Sequence, residues 1–340
     1  MKPSLDIVSV GMVTAVGLDA PAACAAMRAK LDGFQETGFA SPAGGWLVGA
    51  PVPLLRGWIG ERRLTRLAAA AAIEALAGAV DARHDTALVL CLPEPERSGR
   101  PIRDPDLFVQ RVCEIAEFKS ISKAAVIAHG RPSGHVALDH AERVLAAGRA
   151  RSVLIVGVDS YLTGDTIWQY LQSRRLLTEK NPNGFIPGEA AGAVLCRRSD
   201  GNGLQLFGLG LSRESARIYH PDLPFRGDGM TSAYLNALKR TGIEFNQLGY
   251  RIADLIGEQY WFKQSALASQ RLLRGRHDFQ DLWSPSESLG NVGAAVGPIM
   301  LGMAYKASLE GYDAGNPVLI EASNDEGACG AAILATSQAA

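Results

Sequence analysis

Apolar residues recur at two periods along this chain, and the clearest passage runs from Ala124 to Ser160. Ala124 to Ala128 is a short apolar run, too short for a helix and flanked like a strand. A polar break follows, His129-Gly130-Arg131-Pro132-Ser133-Gly134. Ala137, Leu138, Ala141, Val144 and Leu145 then recur at helical spacing, and Gly148 ends the pattern as a C-terminal glycine does. Val153 to Val158 is β-branched and short, as a buried parallel strand would be. The passage therefore predicts strand, sharp turn, helix, strand.

The same alternation extends in both directions. Residues 5 to 19 predict a strand, a glycine turn and a helix running to about Lys30. Residues 33 to 60, rich in Gly, Pro and Trp, predict a surface excursion with little regular structure. Leu64 to Val80 predicts an alanine-rich helix and Thr86 to Leu92 a strand, and Asn181 to Cys196 runs from a glycine-rich turn into an apolar strand. Ser199 to Gly203 is polar and predicts a crossing between two units, 1–200 and 201–340. The second unit predicts strands at Leu204–Leu211, Ile252–Ile256, Val318–Glu321 and Ala331–Ala335. Its helices fall at Thr231–Arg240, with Leu235 and Leu238 inward, at Ser265–Leu273 and from Gly290. Strand and helix in alternation imply a mostly parallel, right-handed βαβ architecture.

Composition narrows the function classes. With 47% hydrophobic residues the 340-residue chain can bury a large core, and a net charge of −1 disfavours nucleic acid or an anionic membrane as partner. Five cysteines, odd in number and without a CxxC pair, read as reduced thiols and a cytoplasmic setting, with no metal centre. No signal peptide is expected at the N-terminus. Val292 to Tyr305 is too short for a membrane span and predicts a buried helix.

The elbow at 129–134, with Ala147-Gly148-Arg149 closing its helix, resembles that of the thiolase-like condensing enzymes, the β-ketoacyl synthases. Gly11, Val13, Thr14 and Gly17 match how that family begins. The most specific likeness is Gly184, Phe185, Gly188, Glu189, Ala191 and Gly192. The resemblance implies a thiolase-like five-layer αβαβα fold built from two similar halves. It also implies that Pro93 to Lys123 is shorter than the loops that shape the family's acyl tunnel and part of its dimer surface.

Condensation needs a thiolate at a helix N-terminus and two donors that hold an enolate oxygen. On the resemblance the cysteine position falls at Arg131 or, one residue out of register, Pro132. The first histidine is replaced by Glu258, while Gln259 keeps the neighbour found in the initiating branch. The second falls in Gly290-Asn291, where the initiating branch has an amide. The lysine position falls at Pro285, and the gating phenylalanine has become Ala328. Glu189 reads as a buried carboxylate bonded to backbone N–H groups more readily than as a catalytic acid, Ser133 as a helix cap more readily than as the partner of His129 in a Ser/His pair, and Cys329 as a small buried residue more readily than as a relocated thiol. His129, His135 and His140 lack metal-ligand spacing.

Expectations about function follow from this reading. The chain is a catalytically inactive β-ketoacyl-synthase-like protein without cofactor. It acts through partners, either as a homodimer or heterodimer with a thiolase-fold relative or on a protein cargo such as a bacterial secretion effector. The alternative is an acyltransferase with residual thioester activity through Asn291 and another nucleophile. The resemblance places Val153–Val158 and the elbow helix near the two-fold interface. Across the former active site Arg131 and Glu258 are expected to form an ion pair, directly or through one water; otherwise Arg131 reaches solvent and Glu258 bonds backbone N–H groups.

Overall fold

The structure is a computed structural model describing residues 3–42, 44–55, 57–79, 82, 84–219, 222–275 and 280–336. Strand β1 (Leu5–Val13) leads to α1 (Ala20–Arg28), capped by Asp19, whose carboxylate accepts from the Ala22 N–H at 2.7 Å. The segment expected to be irregular contains a hairpin, β2 (Gln35–Ala40) and β3 (Trp46–Gly49). Its glycines mask a short alternation of exposed and buried residues, which is a weak sequence signal. Helix α2 (Gly60–Ala77), β4 (Thr86–Cys91) and α3 (Pro105–Ile115) follow. The 93–123 region thus holds a helix, started by the Asp104 cap and Pro105.

The elbow forms as its pattern predicts: β5 (Ala125–Ile127), α4 (Ser133–Ala146) and β6 (Ser152–Ser160). Next come α5 (Gly164–Gln172), which the sequence pattern did not reveal, and β7 (Glu189–Arg198). The remainder is β8 (Leu204–Arg213), α6 (Asp228–Thr241), β9 (Tyr250–Ala253), α7 (Gln259–Leu272) and the short β10 (Asp281–Trp283). It closes with α8 (Ser286–Leu289), the buried α9 (Val296–Glu310), β11 (Val318–Ser323) and β12 (Ala328–Ala335). Leu238 of α6 faces inward as expected, but Leu235 is 50% exposed.

Strand order in the large sheet is β10-β9-β11-β12-β8-β1-β7-β6-β4-β5. The sheet is mixed rather than mostly parallel. The outer strands β4, β5, β6 and β9, β10, β11 run parallel within each group, whereas β7, β1, β8 and β12 pair antiparallel. Strand β1 lies between β7 and β8 and pairs antiparallel with both, so those two strands run in the same direction on either side of it. Strand β6 lies between β4 and β7, not at an edge; the open edges are β5 and β10.

Three helical layers sandwich this sheet. Helices α2 and α3 pack Leu64, Leu67, Phe108 and Val112 on Leu88, Leu90, Leu154 and Val156. On the far side α6 sets Met230, Ala233 and Tyr234 against Leu319, Ala331 and Ile333. Between them α4 and α9 touch strands of both ends of the sheet. The closest point of this central layer is a glycine pair: a Cβ on Gly134 would lie 2.8 Å from the Gly297 Cα. Only backbone fits there, which pins the helix carrying the elbow to α9. Gly134→Val should lower stability by about 1–3 kcal/mol, read from urea unfolding; an unchanged midpoint would show that the crossing has room.

Candidate functional site

The turn between β5 and α4 is held from both sides. Gly130 adopts φ +62°, and a Cβ there would sit 1.9 Å from a Glu94 carboxylate oxygen. Only glycine fits both constraints. Pro132, not Ser133, occupies the N-cap position of α4. The Ser133 Oγ instead accepts the His129 N–H at 3.0 Å, tying the strand end to the helix start. Asn324 donates its amide to the His129 carbonyl at 2.9 Å, while the His129 side chain is exposed.

Arg131 points inward and is 2% exposed. Its Nη1 donates to Asp254 Oδ2 at 3.1 Å, its Nη2 lies 3.7 Å from Asp325 Oδ1, and its guanidinium sits 3.9 Å above the Trp261 ring. Burial alone would lower the Arg131 pKa, but the Asp254 and Asp325 carboxylates hold it above the ordinary value. Burial also pushes the Asp254 carboxyl up from its usual range, against the pull of Arg131.

Arg131 and Glu258 share no direct hydrogen bond or ion pair, and neither takes the alternative placement, since Arg131 is buried and Glu258 accepts from side chains. Glu258 instead receives a two-pronged bond from Arg175, with Nε to Oε1 and Nη2 to Oε2 both at 2.6 Å. Trp261 donates its indole N–H to Glu258 Oε2 at 2.9 Å. Arg175 continues to Asp325 Oδ2 at 2.5 Å and to the Tyr219 hydroxyl at 2.6 Å. Asp325 and Trp261 therefore join both arginines into one cluster. The reason for the altered pairing is local: α7 begins at Gln259, six residues before the expected start, which makes Glu258 its N-cap residue. One turn later Trp261 fills the space between Glu258 and Arg131.

The remaining sequence-selected residues do structural work. Gly290 has φ +63°, and a Cβ would fall 2.3 Å from the Ile186 carbonyl. Asn291 bridges two chain segments, its N–H donating to Ile186 O at 2.8 Å and its carbonyl accepting from Gly188 N at 3.0 Å. The Asn291 side chain accepts only the nearby Gly293 N–H, at 3.1 Å. Ala328 donates its N–H to the Asn324 side-chain oxygen at 2.9 Å. Glu189 is buried but is not held by backbone alone. It accepts the Val52 N–H at 2.9 Å and pairs with Arg63 at 2.5 Å. Cys329 is buried, and burial pushes its thiol up to about 12. His135 is likewise buried and driven down to about 4 by desolvation, so it stays neutral beside Ile320 O at 3.1 Å.

Sequence reasoning passed over Arg175, Asp254, Asp325 and Trp261, and also Arg97, whose guanidinium binds Asp159 and stacks 4.2 Å over Tyr161. Asp159 carried the one available signal, an acid closing the apolar run of β6. Above the elbow lies a cavity of about 310 Å³, lined with charged and polar groups including Glu94, Arg97, Tyr170, Arg213 and Asp325. Among the described residues no group of three His, Cys, Asp or Glu side chains could hold a metal ion. Nor is any helix long and apolar enough to cross a membrane.

No protein-family profile matches this sequence. Solved structures do match its fold over nearly the whole length. A β-ketoacyl synthase from Burkholderia phymatum STM815 aligns with TM-score 0.76 at 16% identity, covering 99% of this chain and 100% of that one. The ishigamide ketosynthase/chain length factor aligns with TM-score 0.79 at 17% identity, covering 98% and 99%. The ketosynthase ApeO in complex with its chain length factor ApeC, from Xenorhabdus doucetiae, gives TM-score 0.79 at 15% identity, covering 98% of each. The fold is thus the thiolase-like ketosynthase fold.

Arg131 is the only hydrogen-bond donor to the Asp254 carboxylate among the described residues. Arg131→Met should therefore strand a buried carboxylate at a cost of about 3–5 kcal/mol. The folded-state pKa of Asp254 is already raised and would rise further, so the folded protein then binds a proton that the unfolded chain releases near the ordinary carboxylate pKa. The stability deficit should be small at low pH and grow as pH rises through the folded pKa. Arg131→Met/Asp254→Asn should flatten the profile. Parallel pH profiles for Arg131→Met and the native protein would contradict this assignment.

Proposed function

We propose that this protein is a non-condensing subunit of the ketosynthase fold that works by pairing with a thiolase-fold chain, as a chain length factor does. The observation that carries the proposal is Arg131 at the elbow, enclosed by Asp254, Asp325 and Trp261. A guanidinium stays protonated and has no lone pair to offer a thioester. In place of an imidazole, Glu258 brings a carboxylate already engaged by Arg175 and Trp261. A negative group there would repel a developing enolate rather than hold it.

The edge strand β5 supports the pairing half of the proposal. Leu92 donates to the Ile127 carbonyl at 2.8 Å, which turns the neighbouring Val126 amide and carbonyl toward the open side. An unpaired edge of this kind is a template for a strand from another chain. Two experiments separate the two halves of the proposal. Incubation with acetyl-CoA and malonyl-CoA should leave the intact mass unchanged and release no CO2; a stable acyl adduct or decarboxylation would instead favour an acyltransferase. Light scattering at micromolar concentration should give twice the 36.1 kDa chain mass. Val126→Pro, which removes the outward donor, should give the single-chain mass. A native protein that runs as a monomer contradicts self-pairing.

A further inference from the structure

A second cavity lies away from the elbow, where α1, α8, α9 and β10 meet. Its volume is about 160 Å³, close to the ~150 Å³ that accommodates a benzene-sized group. Cys24, Met27, Met303, Trp283 and Tyr312 supply apolar and aromatic walls. Thioether and ring surfaces of this kind suit a flat apolar body.

The polar groups at this cavity are unevenly matched. Lys30 and Glu287 neutralise each other at 2.7 Å, both exposed. Arg28 is different: it is exposed, it is held 4.4 Å over the Tyr312 ring, and it has no carboxylate partner among the described residues. Stacking on one face leaves the edge of the guanidinium fork open, and that edge matches a carboxylate in two-pronged fashion. It also sits in the last turn of α1, where the C-terminal end of the helix dipole already favours a cation. An apolar cavity with a single uncommitted cation on its wall is a recognisable recipe for a small-molecule site.

We propose that this cavity binds a small apolar carboxylate, with its apolar body against Trp283, Met27 and Met303 and its carboxylate on Arg28. The site is independent of the elbow, so it stands whether or not the chain is a non-condensing subunit. Benzoate, titrated calorimetrically into the intact protein, is the probe, with benzyl alcohol as its uncharged counterpart. Benzoate should bind saturably and change the Trp283 fluorescence, and benzyl alcohol should bind at least tenfold more weakly. Arg28→Gln, at an exposed position that the fold tolerates, should weaken benzoate about tenfold. Cys24→Met, which fills part of the cavity, should weaken both compounds while leaving Arg28 in place. No saturable benzoate binding, equal affinity for the two probes, or an Arg28→Gln protein that binds benzoate as tightly as the native one would each overturn the proposal.

Discussion

A guanidinium taken out of water needs compensation, and the centre of this molecule is arranged around that need. Arg131 is 2% exposed and immediately precedes the N-cap of α4, the end of a helix where a positive charge is least welcome. Isolated there, it would cost several kcal/mol. Asp254 arrives from the end of β9, Asp325 from the loop between β11 and β12, and Trp261 from α7. All three come from the half of the chain after residue 201, whereas Arg131 and Arg175 come from the half before it. The ion cluster therefore joins the two halves of the chain at the elbow.

This arrangement also packs the space between the two halves at the elbow. Interiors are close-packed, and an unfilled cleft forfeits dispersion contacts along its whole lining. Here Trp261 fills the space between Arg131 and Glu258 while satisfying both, one through its ring face and the other through its indole N–H. An apolar group at Glu258 would remove the two-pronged bond to Arg175, which also bonds Asp325 and Tyr219.

The elements were legible wherever periodicity was strong. The elbow helix followed from Ala137, Leu138, Ala141, Val144 and Leu145, and α9 from its unbroken apolar run. Strand direction was not legible, because a buried antiparallel strand such as β7 carries the same continuous apolar pattern as a parallel one. At the site, Arg131 and Glu258 stood out as residues in the wrong place, but their partners did not. Asp254 lies 123 positions from Arg131, and Arg175 lies 83 from Glu258. No local pattern encodes such pairings. Glu258 was mispaired because the onset of α7 at Gln259 was read too late, and that onset sets which way the carboxylate points.

The central claim is that Arg131 and Arg175 act as parts of one structural unit, coupled through Trp261 and Asp325 although they share no direct bond. A double-mutant cycle with Arg131→Met and Arg175→Met, read by urea unfolding, tests this most directly. The account predicts a coupling of about 0.5–3 kcal/mol, the range seen for residues within one network. Costs that add to within about 0.3–0.5 kcal/mol would mean two independent ion pairs, and would contradict it.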